Sequence, residues 1–195
     1  LKVQYPQGGE KQLIDAVIRR QVPAPPAIPI NVGVVVQNVG TAYAVYEAVQ
    51  KNKPLIDRVL TITGPDVENA RNLRVRFGTP LNEVVEAAGG LPSNTGKIIA
   101  GGPMMGRAIS NLESTTSKRT SGLLIMPDYM SKRAPIENCI RCGKCVDACP
   151  MALEPYLLHS LTEKEMWDRL EQEQIMDCIE CGCCLFSCPS HRPLL

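Results

Sequence analysis

The first 138 residues of this 195-residue chain contain no cysteine. A disulfide framework spreads its cysteines through the region it staples, so nine cysteines packed after residue 138 argue against one and for metal ligation in a reducing compartment. Long apolar runs are missing too: no stretch approaches the ~20 residues of a membrane-crossing helix, and no signal-peptide pattern opens the chain. Nor is there a basic excess. Lys and Arg number 21 against 20 Asp and Glu, which removes the electrostatic footprint of a nucleic-acid binder. The balance hides an asymmetry, because from Cys139 onward 5 basic and 9 acidic residues leave a local charge of −4, against +5 for the residues before it. A basic front half suits an anionic cofactor or partner, although a solvated charged face has the same composition. With 44% hydrophobic residues the chain can build one medium core or two small ones. It begins at Leu1 rather than Met and stops soon after its densest motif, as an excerpt of a longer protein would.

The cysteines form two complete runs of the same spacing. The first is Cys139-x2-Cys142-x2-Cys145-x3-Cys149-Pro150 and the second Cys178-x2-Cys181-x2-Cys184-x3-Cys188-Pro189. This is the run of bacterial-type [4Fe-4S] proteins. Three cysteines at steps of three let one curled loop reach three corners of a cubane, with backbone N–H groups turned toward the sulfides. In two-cluster ferredoxins the fourth corner comes from the other run, and the proline turns the chain away. That pattern predicts the ligand sets Cys139, Cys142, Cys145 with Cys188, and Cys178, Cys181, Cys184 with Cys149. Cys183 falls outside the register of three and is the spare, a small buried residue, with a substitute ligand or a redox-sensitive thiol as the alternatives. Zinc is the rival occupant, but it needs only four thiolates per ion and leaves the third cysteine and the Cys-Pro ending without a purpose. His159 and His191 are not needed as ligands, since eight cysteines supply every corner. Between the runs, Leu157, Leu158, Leu161, Met166 and Leu170 recur at near-helical steps, predicting one or two helices in which Met166 and Trp167 pack.

The front two thirds predict an α+β architecture. Leu13, Ile14, Val17 and Ile18 share a helical face in "EKQLIDAVIRR", and "QVPAPPAIPI" reads as an extended connector. "NVGVVVQNVGTAYAVYEAVQKN" reads as a buried strand running into a helix, with Asn38 and Gly40 at the junction. Next come short alternating strands in "RVLTITG" and "NLRVRFG", then a helix with Thr79 as N-cap and Pro80 at its first position, ended by Gly89-Gly90. "KIIAGG" and "SGLLIMP" supply two more strands, which together suggest a small β-grasp-like unit. "AGGPMMG" lacks the Lys-Ser/Thr ending of a P-loop and reads as a tight turn with two packing methionines. "NLESTTSKRTS" reads as a polar linker.

Taken in order, "YPQGGEKQLI", "VGVVVQNVGTA", "TITG", "AGGPMMG", "KRTSGLLIMP", "CIRCGKCVDACPMALEPYLL" and "CIECGCCLFSCPSHRPL" resemble the C subunits of Rnf complexes. These are bacterial membrane assemblies that pass electrons between ferredoxin and NAD and move sodium ions or protons. The resemblance implies the end of an α/β flavin and NADH domain over 1–55, a β-grasp-like soluble-ligand-binding domain over 56–130, and an α-helical two-cluster ferredoxin module over 131–195. It implies two [4Fe-4S] clusters, FMN in the full-length protein, NAD(H) as substrate, and other subunits of a membrane complex as partners. The location implied is the cytoplasmic face of the bacterial cell membrane, peripheral to it. A flavin motif Tyr-x-x-Gly-x-Glu corresponds to Tyr5, Gly8 and Glu10, and an Asn-Val-x-Thr turn to Asn38, Val39 and Thr41. By that carry-over Glu10 and Asn38 border the flavin ring, with Thr41 nearby. The family's glycine-rich flavin loop is not among these 195 residues. Two other functions fit the same order of parts less well: a cobalamin reductase of bacterial microcompartments, against which "GGPMMG" and "CPSHRPL" weigh, and a non-catalytic binding module with structural clusters.

Overall fold

The computed structural model describes residues 3–195, which gather into two compact units. One consists of residues up to 36 together with 134–195, the other of residues 37–133. Helix α1 (Glu10–Ile18) opens the first unit and buries Ile14, while Val17 and Ile18 stay exposed. After the proline-rich connector a single 3-10 turn, Pro29–Val32, leads into residues 34–36. The strand expected there does not form. Val35 is 66% exposed, and no described strand pairs with it. β-branched residues take strand geometry only where a neighbour supplies ladder bonds and packing, so this valine run remains irregular chain.

The second unit begins with α2 (Val39–Lys51), whose N-terminus is capped as the Asn38 side-chain oxygen accepts from the Gly40 N–H at 2.9 Å. One mixed five-stranded sheet follows, built from β1 (Asp57–Thr63), β2 (Arg71–Arg76), β3 (Thr95–Ala100), β4 (Arg107–Ile109) and β5 (Gly122–Pro127) in the order β2-β1-β5-β3-β4. Only β1 and β5 run parallel, with Ile62 opposite Leu123; the other neighbours are antiparallel. Alternation decides the buried face: Leu60 and Ile62 of β1 and Leu123 and Ile125 of β5 point to one side, while Val59 points to the other and is exposed. Against the buried side lies α3 (Leu81–Glu86), contributing Leu81, Val84 and Val85. Replacing Leu60, which is fully buried there, by Ala would cost on the order of 2–5 kcal/mol.

The predicted strands of this unit are observed, with one addition. Arg107–Ile109 forms β4 after "AGGPMMG", where Gly106 N–H closes onto Gly102 O at 2.8 Å. A Cβ on Gly106 would collide with the Gly102 carbonyl, which explains the glycine; Met105, expected to pack, is exposed. The N-cap of α3 is Pro80 rather than Thr79, and no side chain caps it. The linker "NLESTTSKRTS" is pinned in part: Thr116 is buried and its hydroxyl donates to Arg76 O at 2.8 Å. A short α4 (Asp128–Ser131) closes the unit.

The chain then returns to the first unit through α5 (Lys144–Asp147), α6 (Pro155–Glu163), α7 (Trp167–Gln172) and α8 (Cys183–Ser187). Leu153, Leu158, Leu161 and Leu170 form its core, with Cys149, Leu157 and Ile175 packed at the edge. The helical step between the cysteine runs is therefore observed. Met166 and Trp167 are not part of the packing: both are exposed, because they sit at the corner between α6 and α7, outside the leucine core.

Candidate metal centres

Both cysteine runs fold into the same local object. The residue before the second cysteine, Arg141 or Glu180, is left-handed at φ 54° or 53°. The glycine after it, Gly143 or Gly182, is left-handed at φ 77° or 79° and starts α5 or α8. Three residues beyond the last cysteine, Ala152 and His191 are left-handed again. Their N–H groups close onto the last cysteines, Ala152 onto Cys149 O and His191 onto Cys188 O, both at 3.2 Å. Left-handed residues carrying a side chain cost of order 1–3 kcal/mol each and persist only where the surroundings over-determine them. Their use in both loops curls the backbone so that successive N–H groups face one concavity, a nest suited to anionic sulfur. In the second loop the Glu180 N–H already points at Cys178 Sγ, at 3.4 Å.

Two cavities separate the cysteines. One, of about 910 Å³, is lined by Cys139, Cys142, Cys145 and Cys188. The other, of about 700 Å³, is lined by Cys149, Cys178, Cys181 and Cys184. Each therefore takes three cysteines from one run and the last cysteine of the other, while Cys183 lines neither and is only half-buried. The exchange follows from α5 and α8 packing together, which carries the end of each run to its counterpart's loop. Four cysteines at each cavity supply the four corners that a cubane requires.

Charge in the cavities has a clear direction. Burial pushes the thiols of Cys145 and Cys184 up; the backbone N–H of Tyr156 partly offsets this at Cys145, as that of Leu185 does at Cys184. Cys183 is pushed up to about 11, first by burial, then by a hydrogen bond to Cys181 and by the neighbouring thiolates. Thiols pushed up in this way give up their protons readily only beside a bound cation, which a metal centre would supply. His159 also lines the cavity of Cys149, Cys178, Cys181 and Cys184, and there Arg192 Nη2 donates to His159 Nε2 at 2.8 Å and reaches Glu163 at 3.3 Å.

The residues matched to a flavin motif fall into both units. Tyr5, Gly8 and Glu10 belong to the first and Asn38 and Thr41 to the second. Asn38 caps α2, and Thr41 Oγ1 accepts from Arg58 Nη2 at 3.1 Å. Tyr5 does something that the sequence does not announce: its hydroxyl donates to Cys181 O at 2.7 Å. A contact between residues 176 positions apart leaves no trace in local pattern or spacing.

Comparison with known proteins divides the chain in three. The Nuo51 FMN-binding domain matches residues 1–47, the SLBB domain residues 59–108, and the 4Fe-4S dicluster domain residues 132–189. The C subunit of the Na(+)-translocating ferredoxin:NAD(+) oxidoreductase complex of Acetobacterium woodii is 44% identical over 176 residues, 90% of this chain and 40% of that protein. The corresponding subunit of the proton-translocating ferredoxin:NAD(+) oxidoreductase complex of Clostridium ljungdahlii is 42% identical over 173 residues, 89% of this chain and 38% of the relative. That of the ion-translocating oxidoreductase complex of Haemophilus influenzae is 42% identical over 197 residues, 100% of this chain and 29% of its own length. The chain thus spans less than half the length of these curated relatives.

Proposed function

Because the chain belongs to the family of C subunits of ion-translocating oxidoreductase complexes, we propose that it is the electron-transfer part of such a protein, passing electrons between FMN, reduced by NADH, and two [4Fe-4S] clusters. The observation that carries this is the sorting of eight cysteines into two cavities, each with three from one run and one from the other. We assign Cys139, Cys142, Cys145 and Cys188 to one cluster and Cys149, Cys178, Cys181 and Cys184 to the second. When bound, such clusters supply one-electron chemistry at potentials set by hydrogen bonds and exposure.

The protein's own part is to hold and to tune. Curled loops aim N–H groups at sulfur, the leucine core around Leu158 and Leu170 braces the helices, and burial strips water from Cys181 and Cys184. Residues 1–55, 56–130 and 131–195 are assigned to the end of a flavin domain, a β-grasp-like domain and the cluster module. The three matched family descriptions support that division. Tyr5, Gly8, Glu10, Asn38 and Thr41 are assigned to the flavin side. No helix of the described residues is long and apolar enough to cross a membrane, which fits a protein held peripherally on the cytoplasmic face by partner subunits.

The test is made on full-length protein with its flavin, under anaerobic conditions. About eight iron and eight sulfide per chain and an absorption that NADH bleaches reversibly are expected. Glu10→Ala or Asn38→Ala should slow bleaching without removing iron. Zinc in place of iron defeats the assignment, and clusters that no reductant bleaches would leave a structural module.

A further inference from the structure

The segment ahead of α1 and the helix itself hold the second cysteine set from outside. Tyr5 donates to Cys181 O at 2.7 Å. Lys11 Nζ stands 3.9 Å from Asp177, the residue before Cys178, and Gln12 Nε2 donates to Met151 Sδ, two residues beyond Cys149, at 2.8 Å. Three side chains therefore touch the chain at or beside three of the four cysteines lining one cavity. The Tyr5 bond is the one that reaches a ligand's own peptide group.

A trans peptide sets its C=O and N–H in opposite directions. With the Cys181 carbonyl engaged by Tyr5, the N–H of the same peptide, that of Gly182, is turned the other way, and Gly182 lines the cavity. Bonding at a carbonyl also polarises the N–H of the same peptide, strengthening its own bonds by about 10–30%. Stronger donors toward cluster sulfur favour the reduced, more negative state.

We infer that Tyr5 is a positioning residue for the cluster of Cys149, Cys178, Cys181 and Cys184, orienting the Cys181–Gly182 peptide and raising that cluster's reduction potential, and not that of the other. This rests on the cluster assignment proposed above. Tyr5 lies on the segment matched to a flavin motif, so one side chain links that segment to one particular cluster.

The experiment is an EPR redox titration of the full-length, cluster-loaded protein. Tyr5→Phe should keep its iron and sulfide yet move one cluster midpoint down, with the reduction equilibrium shifted about three- to tenfold, equivalent to about 30–60 mV. Fluorotyrosine at position 5, a stronger donor, should move the same midpoint up. In a Cys145→Ser background, which removes the first cluster, the shift should persist. Both midpoints moving together, neither moving, or the flavin midpoint alone moving would overturn the inference while leaving the cluster assignment standing. A wild-type protein with no reducible cubanes would overturn both.

Discussion

The two cysteine loops share a spacing and a backbone and differ in what surrounds them. Each loop has an exposed first cysteine and a third one pushed up by burial; they differ in the second, Cys142 being exposed where Cys181 is buried, and in the fifth cysteine and Tyr5 that stand against the second loop. A local code thus repeats while its environment does not. The loop specifies what is bound, and the surroundings specify how readily it is reduced, since potential follows hydrogen bonding and solvent exposure. Two chemically identical clusters in such settings should differ in midpoint.

The largest expected effect tests whether the loops are independent. Cys149→Ser, a change in the first run, should strip the cluster of the second loop, halving iron from about eight to about four per chain by metal analysis, with the first cluster's EPR signal retained. Loss of the first cluster instead would mean that each run closes on itself. Next in size is the packing between the runs: Leu170→Ala removes a buried core side chain and should destabilise the first unit by about 2–5 kcal/mol in chemical denaturation.

A smaller change compares the loops at their equivalent turns. Gly143→Ala and Gly182→Ala each place a Cβ on a left-handed residue and should cost about 1–2 kcal/mol. If the surroundings matter as described, Gly182→Ala should also shift its cluster's midpoint more than Gly143→Ala does, because Tyr5 fixes the peptide that Gly182 shares. The smallest effect belongs to Cys183. Cys183→Ser should leave both clusters in place, with iron content unchanged. Loss of a cluster in this variant would make Cys183 a ligand.

Much of this protein is determined by sequence alone. Cysteine spacing decides the loop, because three ligands on one curl need fixed steps, while the left-handed turns at Gly143 and Gly182 emerge only in the structure. Period-two burial in β1 and β5 and the leucine steps from 157 to 170 are equally local, and the elements they predict are present. What only tertiary structure decided is of another kind. Val34–Val36 has strand propensity and no strand, since ladder bonds come from a neighbour. Trp167 is apolar and exposed, since a side chain's burial depends on where its helix meets the core. Residues up to 36 join 134–195 although the sheet unit intervenes in the sequence, and Tyr5 meets Cys181. Such contacts are settled by packing over the whole chain, where free energy is gained by surfaces that fit and not by neighbours in sequence, so no local pattern can encode them.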